Sequence, residues 1–217
     1  VSPAFPLVGL VIAFAIGSIP TAYWMGRWQG LDIRHYGSGN VGATNALRVL
    51  GVKWGIVCLG LDVLKGYLPT ALALLLPGEV FAIGWPPNSW PWAVGAAAIV
   101  GHMFSPFLKF CGGKGVATAI GVILAMAWLP ILLALIVGTL IIWLTGYVSV
   151  ASIAGAALLP FLILLFQFRQ QPWISILVTA LLAVVIIWKH RANIDRLRNG
   201  TEPRVFDQIQ MGKDEGG

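Results

Sequence analysis

Three polar islands interrupt an otherwise apolar chain, and their residue types suit the handling of an anion. The first, GSGNVGATNALR over residues 37–48, sets Gly37, Gly39 and Gly42 among Ser38, Asn40, Asn45 and Arg48. Glycines let backbone N–H groups converge on an anion, and an arginine adds a charged fork for phosphate. The glycine spacing, with Asp62 twenty residues after Gly42, also fits a dinucleotide-binding fingerprint. That fingerprint needs a strand before it inside a short crossover unit, whereas here long apolar runs stand on both sides, which excludes it.

The second island, FCGGKGVAT over 110–118, runs Gly112, Gly113, Lys114 and Gly115 straight into an apolar helical stretch. A helix start offers N–H groups and a partial positive charge, and Lys114 adds a full one, a combination suited to phosphate. It is not a Walker A loop: position 108 is not glycine, and Gly115 follows the lysine where a Mg-binding hydroxyl belongs. His102, just upstream, reads either as a hydrogen-bonded histidine inside a helix bundle or as part of the site. The third island, KHRANIDRLRNGTEP over 189–203, carries His190, Asn193, Asp195 and Glu202. His190 and Asp195 reproduce a His, four residues, Asp pattern in which the acid orients a histidine base. Five residues on a helix turn about 140° away, so those two do not share a face, whereas His190 and Asn193 do. Glu202 is expected to pair with nearby arginines.

Two weaker features accompany the islands. Asp62 and Lys65, three apart in an apolar run, read as a structural ion pair or as part of a site, because ionised groups are costly there. Ser149 and Ser152, in the turn GYVSVAS over 146–152, are candidates by position alone.

What must position these groups follows from composition. With 58% apolar residues, 10% charged residues and a mean hydropathy of +0.85, the chain is an integral membrane protein. A hydrocarbon core of roughly 30 Å takes about 20 helical residues, so the length leaves room for about six or seven crossings with short loops. Apolar segments fall at 5–26, 54–76, 91–108, 116–129, 130–146, 151–167 and 173–188. The fourth is short, and a tight turn is expected beside Pro130. No basic region precedes the first run and no small-residue cleavage pattern follows it, so it reads as a spanning helix rather than a signal peptide.

Placing the N-terminus outside puts twelve of the fourteen Lys and Arg in cytoplasmic segments, with Arg169 outside and Lys65 in the membrane. The fold expected is therefore all-α, with seven transmembrane helices, N-terminus outside, C-terminus cytoplasmic, in one domain over 1–217. All three islands then share the cytoplasmic face, where one site could use them together. Trp85, Trp90 and Trp92, in the outer loop, are expected as interfacial anchors. The net charge of +6 reflects this bias and contact with anionic lipid or substrate, not nucleic acid. Cys58 and Cys111 stand far apart, with neither disulfide nor metal-ligand spacing, so no metal or cofactor is expected.

Taken in order, GSGNVGATNALR (37–48), DVLKG (62–66), GHMFSPFLKFCGGKGVAT (101–118), GYVSVASI (146–153) and HRANIDRLRNGTE (190–202) resemble the bacterial acyl-phosphate:glycerol-3-phosphate acyltransferase family, the PlsY family. The resemblance implies transfer of an acyl chain from acyl phosphate to the sn-1 hydroxyl of glycerol 3-phosphate, giving lysophosphatidic acid and phosphate at the start of phospholipid synthesis. It implies a catalytic set of Ser38, Arg48, Lys114, His190 and Asn193. Around these, Gly37, Gly39, Asn40, Gly42, Asn45, Gly112, Gly113, Gly115, Ser149 and Ser152 would bind substrate, and Asp62, Lys65, His102 and Glu202 would support the site. The implied setting is the cytoplasmic side of a bacterial inner membrane, among lipids, with the donor-synthesising enzyme as a candidate partner. A transporter for a phosphorylated anion is the main rival. Transporters hold their sites near the midplane in broken helices, whereas these polar groups cluster at one face. An acyl-CoA-dependent enzyme built on His190 and Asp195 is a weaker one.

Overall fold

The computed structural model describes residues 4–76, 89–167 and 173–205. Among them every regular element is helical: α1 Ala4–Ser18, α2 Thr21–Trp28, α3 Ala43–Leu50, α4 Val52–Leu75, α5 Ser89–Met103, α6 Val116–Met126, α7 Trp128–Thr145, α8 Val148–Gln167, α9 Trp173–Lys189 and α10 Arg191–Arg198. Four helices are long and apolar enough to cross a membrane, and up to six spans result if the bent pairs α1–α2 and α9–α10 each count as one. Helix α6, with 11 residues, rises only about 16 Å. Two compact units contain these elements, Val1–Met126 and Ala127–Gly217.

In the first unit helices approach through small residues, since apolar side chains alone give no preference for helix over lipid. A Cβ on Gly17 would meet the Ala98 carbonyl and one on Gly101 the Phe14 carbonyl, which brings α1 against α5. Gly66 faces Thr118 and Gly121 faces Val63 in the same way, joining α4 to α6. A second cluster of Ala22, Met25, Ile33, Val41, Ala46, Cys58 and Leu108 seats the first polar island on α2, α4 and the chain ahead of the second island.

The first apolar run is not one straight helix. It bends by 41° between Ser18 and Thr21, because Pro20 has no N–H and disfavours the helical state of Ile19. Such a break frees carbonyls that lipid cannot satisfy. Side chains from elsewhere take them: Ser105 Oγ donates to the Ser18 carbonyl at 2.6 Å, and Lys65 Nζ to the Ile19 carbonyl at 3.0 Å. The turn expected beside Pro130 instead falls at Ala127 (φ −155°), and Pro130 sits in the first turn of α7, where a missing N–H costs nothing. Trp90 and Trp92 are buried against protein rather than placed as anchors, Trp90 packing with Ala13, Ala73 and Val94. Trp85 and Arg169 lie outside the described residues.

In the second unit α7, α8 and α9 pack in sequence. The chain after α10 returns to the α7–α8 turn. There the Val205 N–H donates to the Gly146 carbonyl at 2.9 Å, and the Arg204 guanidinium lies 5.4 Å from the centre of the Tyr147 ring.

Candidate active site

The first island folds around one buried amide. Asn45, on α3, accepts the Ser38 N–H at 2.9 Å through Oδ1 and donates through Nδ2 to the Ile33 and Tyr36 carbonyls at 3.1 and 3.2 Å. These bonds fold the loop back on its own helix. Asn45, expected from sequence as a substrate-binding residue, is thus engaged in shaping the island. Gly37 has φ +60°, and a side chain there would collide with the Asn45 amide. Ser38, Asn40 and Arg48 stay half-buried, Arg48 on α3 and the other two in the loop before it. Gly42, in extended backbone, caps the start of α3.

The second island leaves α5 at Met103 and turns back on it. The Gly112 N–H donates to the Met103 carbonyl and the Gly113 N–H to the His102 carbonyl, at 3.2 and 3.1 Å. Gly113 abuts the Nε2 edge of the His102 imidazole, with no space for a Cβ between them. Lys114 is half-buried, and Gly115 (φ +82°) leads into α6, whose first bond runs from Ala119 N to Gly115 O. The amides of Val116, Ala117 and Thr118 come before that bond, at the positive end of the helix.

Behind this loop is a buried polar cluster. Asp62 Oδ1 accepts the Thr21 hydroxyl at 2.9 Å and pairs with Lys65 Nζ at 2.7 Å, and His102 Nδ1 lies 3.9 Å from the same oxygen. The Cys58 thiol is 3.7 Å from Oδ2. Of these, sequence reasoning missed Thr21. Its position right after Pro20 is the signal that could have found it.

The third island begins where α9 ends. His190 stands at the bend of 54° between α9 and α10, buried, with Nδ1 at 2.7 Å from the Ile186 carbonyl. A carbonyl only accepts, so Nδ1 carries a proton and donates to it. Asp195 is exposed on the helix, 3.9 Å from Arg198, so it does not orient His190. Asn193 is buried and donates to Glu202 Oε1 at 2.7 Å, while Arg196 Nε donates to Oε2 at 2.8 Å. Arg196 is thus the arginine that Glu202 was expected to find.

The two serines separate here. Ser152 donates to the Val148 carbonyl one turn back, at 2.8 Å. Ser149 is buried near Glu202, and its hydroxyl has no hydrogen-bond partner of good geometry.

Burial would push the Glu202 carboxyl up. Hydrogen bonds from Asn193 and Arg196, the nearby Ser149 hydroxyl and the arginine charge outweigh it and hold the carboxyl below its ordinary value. A depressed carboxylate stabilises the fold above its unfolded value and loses that contribution as pH falls through the folded one. Glu202→Ala removes the acceptor of a buried amide and is expected to destabilise the protein by about 1–3 kcal/mol. Thermal unfolding in detergent checks this. Glu202→Gln should lose less and should also flatten the acid decline in unfolding midpoint expected of the wild type below the ordinary glutamate range.

No group of three or more His, Cys, Asp or Glu among the described residues could hold a metal ion. The first unit offers two glycine loops with cations, which suit a phosphate; the second, by itself, offers a buried imidazole and a buried carboxamide.

Known proteins share this chain's sequence and fold. The family model described as "Glycerol-3-phosphate acyltransferase" matches residues 7–200. "Glycerol-3-phosphate acyltransferase 2" of Moorella thermoacetica is 46% identical over 203 residues, covering 93% of this chain and 98% of that protein. The glycerol-3-phosphate acyltransferase of Trichlorobacter lovleyi is 46% identical over 192 residues, covering 88% and 93%. Among solved structures, the crystal structure of PlsY, an integral membrane glycerol 3-phosphate acyltransferase, in its glycerol 3-phosphate form superposes with a TM-score of 0.83 at 35% identity, covering 92% of this chain and 94% of that one. Its lysophosphatidic acid form gives a TM-score of 0.80 at the same identity.

Proposed function

Since the chain belongs to the glycerol-3-phosphate acyltransferase family, we propose that it makes lysophosphatidic acid by moving an acyl chain from acyl phosphate to the sn-1 hydroxyl of glycerol 3-phosphate. The observation that carries this reading is the second glycine loop, with Lys114 ahead of the first turn of α6, a place for a phosphate. Acyl phosphate is a mixed anhydride whose phosphate leaves readily, so positioning and charge stabilisation supply the catalysis. The glycerol hydroxyl attacks the acyl carbon, the bond to phosphate breaks, and a substrate phosphate oxygen takes the hydroxyl proton. Asp195 is exposed beside Arg198, so it does not complete a Ser, His, Asp relay with His190 that would form an acyl-enzyme.

In this reading Lys114 and the Gly112–Gly115 loop hold a phosphate, and Arg48 with Ser38 and Asn40 adds charge and donors from the first island. His190 and Asn193 meet glycerol 3-phosphate, Ser149 joins them through its buried hydroxyl, and Glu202 supports Asn193. Ser152, already bonded to Val148, drops out of the set. Seven crossings, with α6 as a short one, N-terminus outside and the islands on the cytoplasmic side of a bacterial inner membrane, are supported by the distribution of Lys and Arg. A single acyltransferase domain over 1–217 is supported by a family model that runs through both compact units.

The test is a product assay on purified protein with glycerol 3-phosphate and either palmitoyl phosphate or palmitoyl-CoA. Lysophosphatidate from the acyl phosphate alone is expected. Product from the CoA donor moves the assignment of donor, and uptake of glycerol phosphate into sealed vesicles without product moves it to a transporter.

A further inference from the structure

The Asp62–Lys65 pair is buried, and a buried pair by itself contributes little to stability, since well-packed apolar side chains often do as well. Charges inside membrane helices are more often tied to function. What sets this pair apart is where its contacts end. Lys65 reaches the Ile19 carbonyl at the Pro20 break, Asp62 takes the Thr21 hydroxyl at the start of α2, and the same Asp62 oxygen faces Nδ1 of His102. Gly113 abuts the Nε2 edge of that imidazole, away from Nδ1, while the His102 backbone carbonyl takes the Gly113 N–H. Loop and ring are therefore in contact twice, through backbone and through side chain. The ring's placement is set by charges on α4. A displacement of the imidazole moves Gly113, and with it the lysine one residue on.

We propose that His102, held by the Asp62–Lys65 pair, is the positioning residue that sets the Gly112–Gly115 loop for the anion it receives. This rests on the reading that the loop seats a substrate phosphate. It adds that the loop's geometry is imposed from beneath by an imidazole. Glycine is required at 113 because the ring occupies the space of a side chain.

The test is a size swap read in kinetics. Gly113→Ala, His102→Ala and the double variant are purified in detergent and assayed with palmitoyl phosphate and glycerol 3-phosphate. In Gly113→Ala the new methyl runs into the ring, and KM for the substrate seated on the loop is expected to rise about tenfold or more while kcat falls less. In the double variant the ring is gone, and KM is expected to return to within about threefold of the His102→Ala value, a non-additive coupling. A role in stability alone would lower the unfolding midpoint without this split. Additive effects, or a Gly113→Ala enzyme with wild-type KM, overturn the proposal. If alanine at 102 does not fold, His102→Asn takes its place under the same criterion. A wild type that makes no product from palmitoyl phosphate fails the functional reading alone. The loop is then followed by the rise in unfolding midpoint on adding inorganic phosphate, where loss in Gly113→Ala and return in the double variant support the proposal and any other pattern rejects it.

Discussion

Lys114→Ala is expected to lower kcat/KM for acyl phosphate by about 10²–10³-fold, the usual loss when one preorganised donor to developing negative charge is removed. The phosphate gains charge as its bond to the acyl carbon breaks, so most of the loss should fall on kcat. The side chain is half-buried on a loop whose backbone is fixed by bonds to Met103 and His102, so the unfolding midpoint should hardly move. Lys114→Arg keeps the charge but replaces a compact ammonium by a planar fork, and only part of the activity should return. A Lys114→Ala enzyme that turns over at the wild-type rate would remove this loop from the mechanism.

The largest effect on stability is expected from Lys65→Met. That substitution leaves the Asp62 carboxylate buried without its ammonium and the Ile19 carbonyl with the Thr21 N–H but without the lysine. Removing one partner of a buried pair costs roughly 3–5 kcal/mol. Adding Asp62→Leu should restore most of the unfolding midpoint, because the uncompensated charge is gone. The return should stop short of wild type, since the Ile19 carbonyl and the Thr21 hydroxyl still lack the partners they had. Thermal unfolding of the two variants decides this, and a double variant no more stable than Lys65→Met would contradict the electrostatic account. Activity gives a second readout: the double variant should remain impaired even where its stability has recovered, because His102 no longer faces a carboxylate.

Hydropathy located the helices well because it sums over many residues, and α4, α5, α7, α8 and α9 lie close to the apolar runs. It passed over Pro20, since one imino acid barely changes a window average while it removes an N–H and bends the helix. It also placed the next turn at Pro130, where proline was a helix-start residue and Ala127 carried the break. Amphipathic α3 raised no helix expectation, its eight residues too few for a periodic signal to stand out. The islands were legible because polar residues are conspicuous in an apolar chain.

What each polar residue does was less legible, because composition does not say which way an amide points. Asn45 and Ser38 look alike in sequence, but one is consumed by three bonds within its own loop. Ser149 and Ser152, three apart, diverge because only Ser149 lies against Glu202. Trp90 and Trp92 were judged by their place in a loop, whereas helix α5 already begins at Ser89 and carries them inside.

The seal over the Pro20 break also orders the biosynthesis of the protein. The chain leaves the ribosome N-terminus first, so the Ser18 and Ile19 carbonyls emerge long before Lys65 and Ser105, the residues that close them. Until Ser105 has been made, the Ser18 carbonyl lacks the hydroxyl that closes it and has to stay near headgroups or translocon water. The first unit therefore cannot settle helix by helix. It locks when the connection after α5 arrives, and the second glycine loop is the next segment to be synthesised.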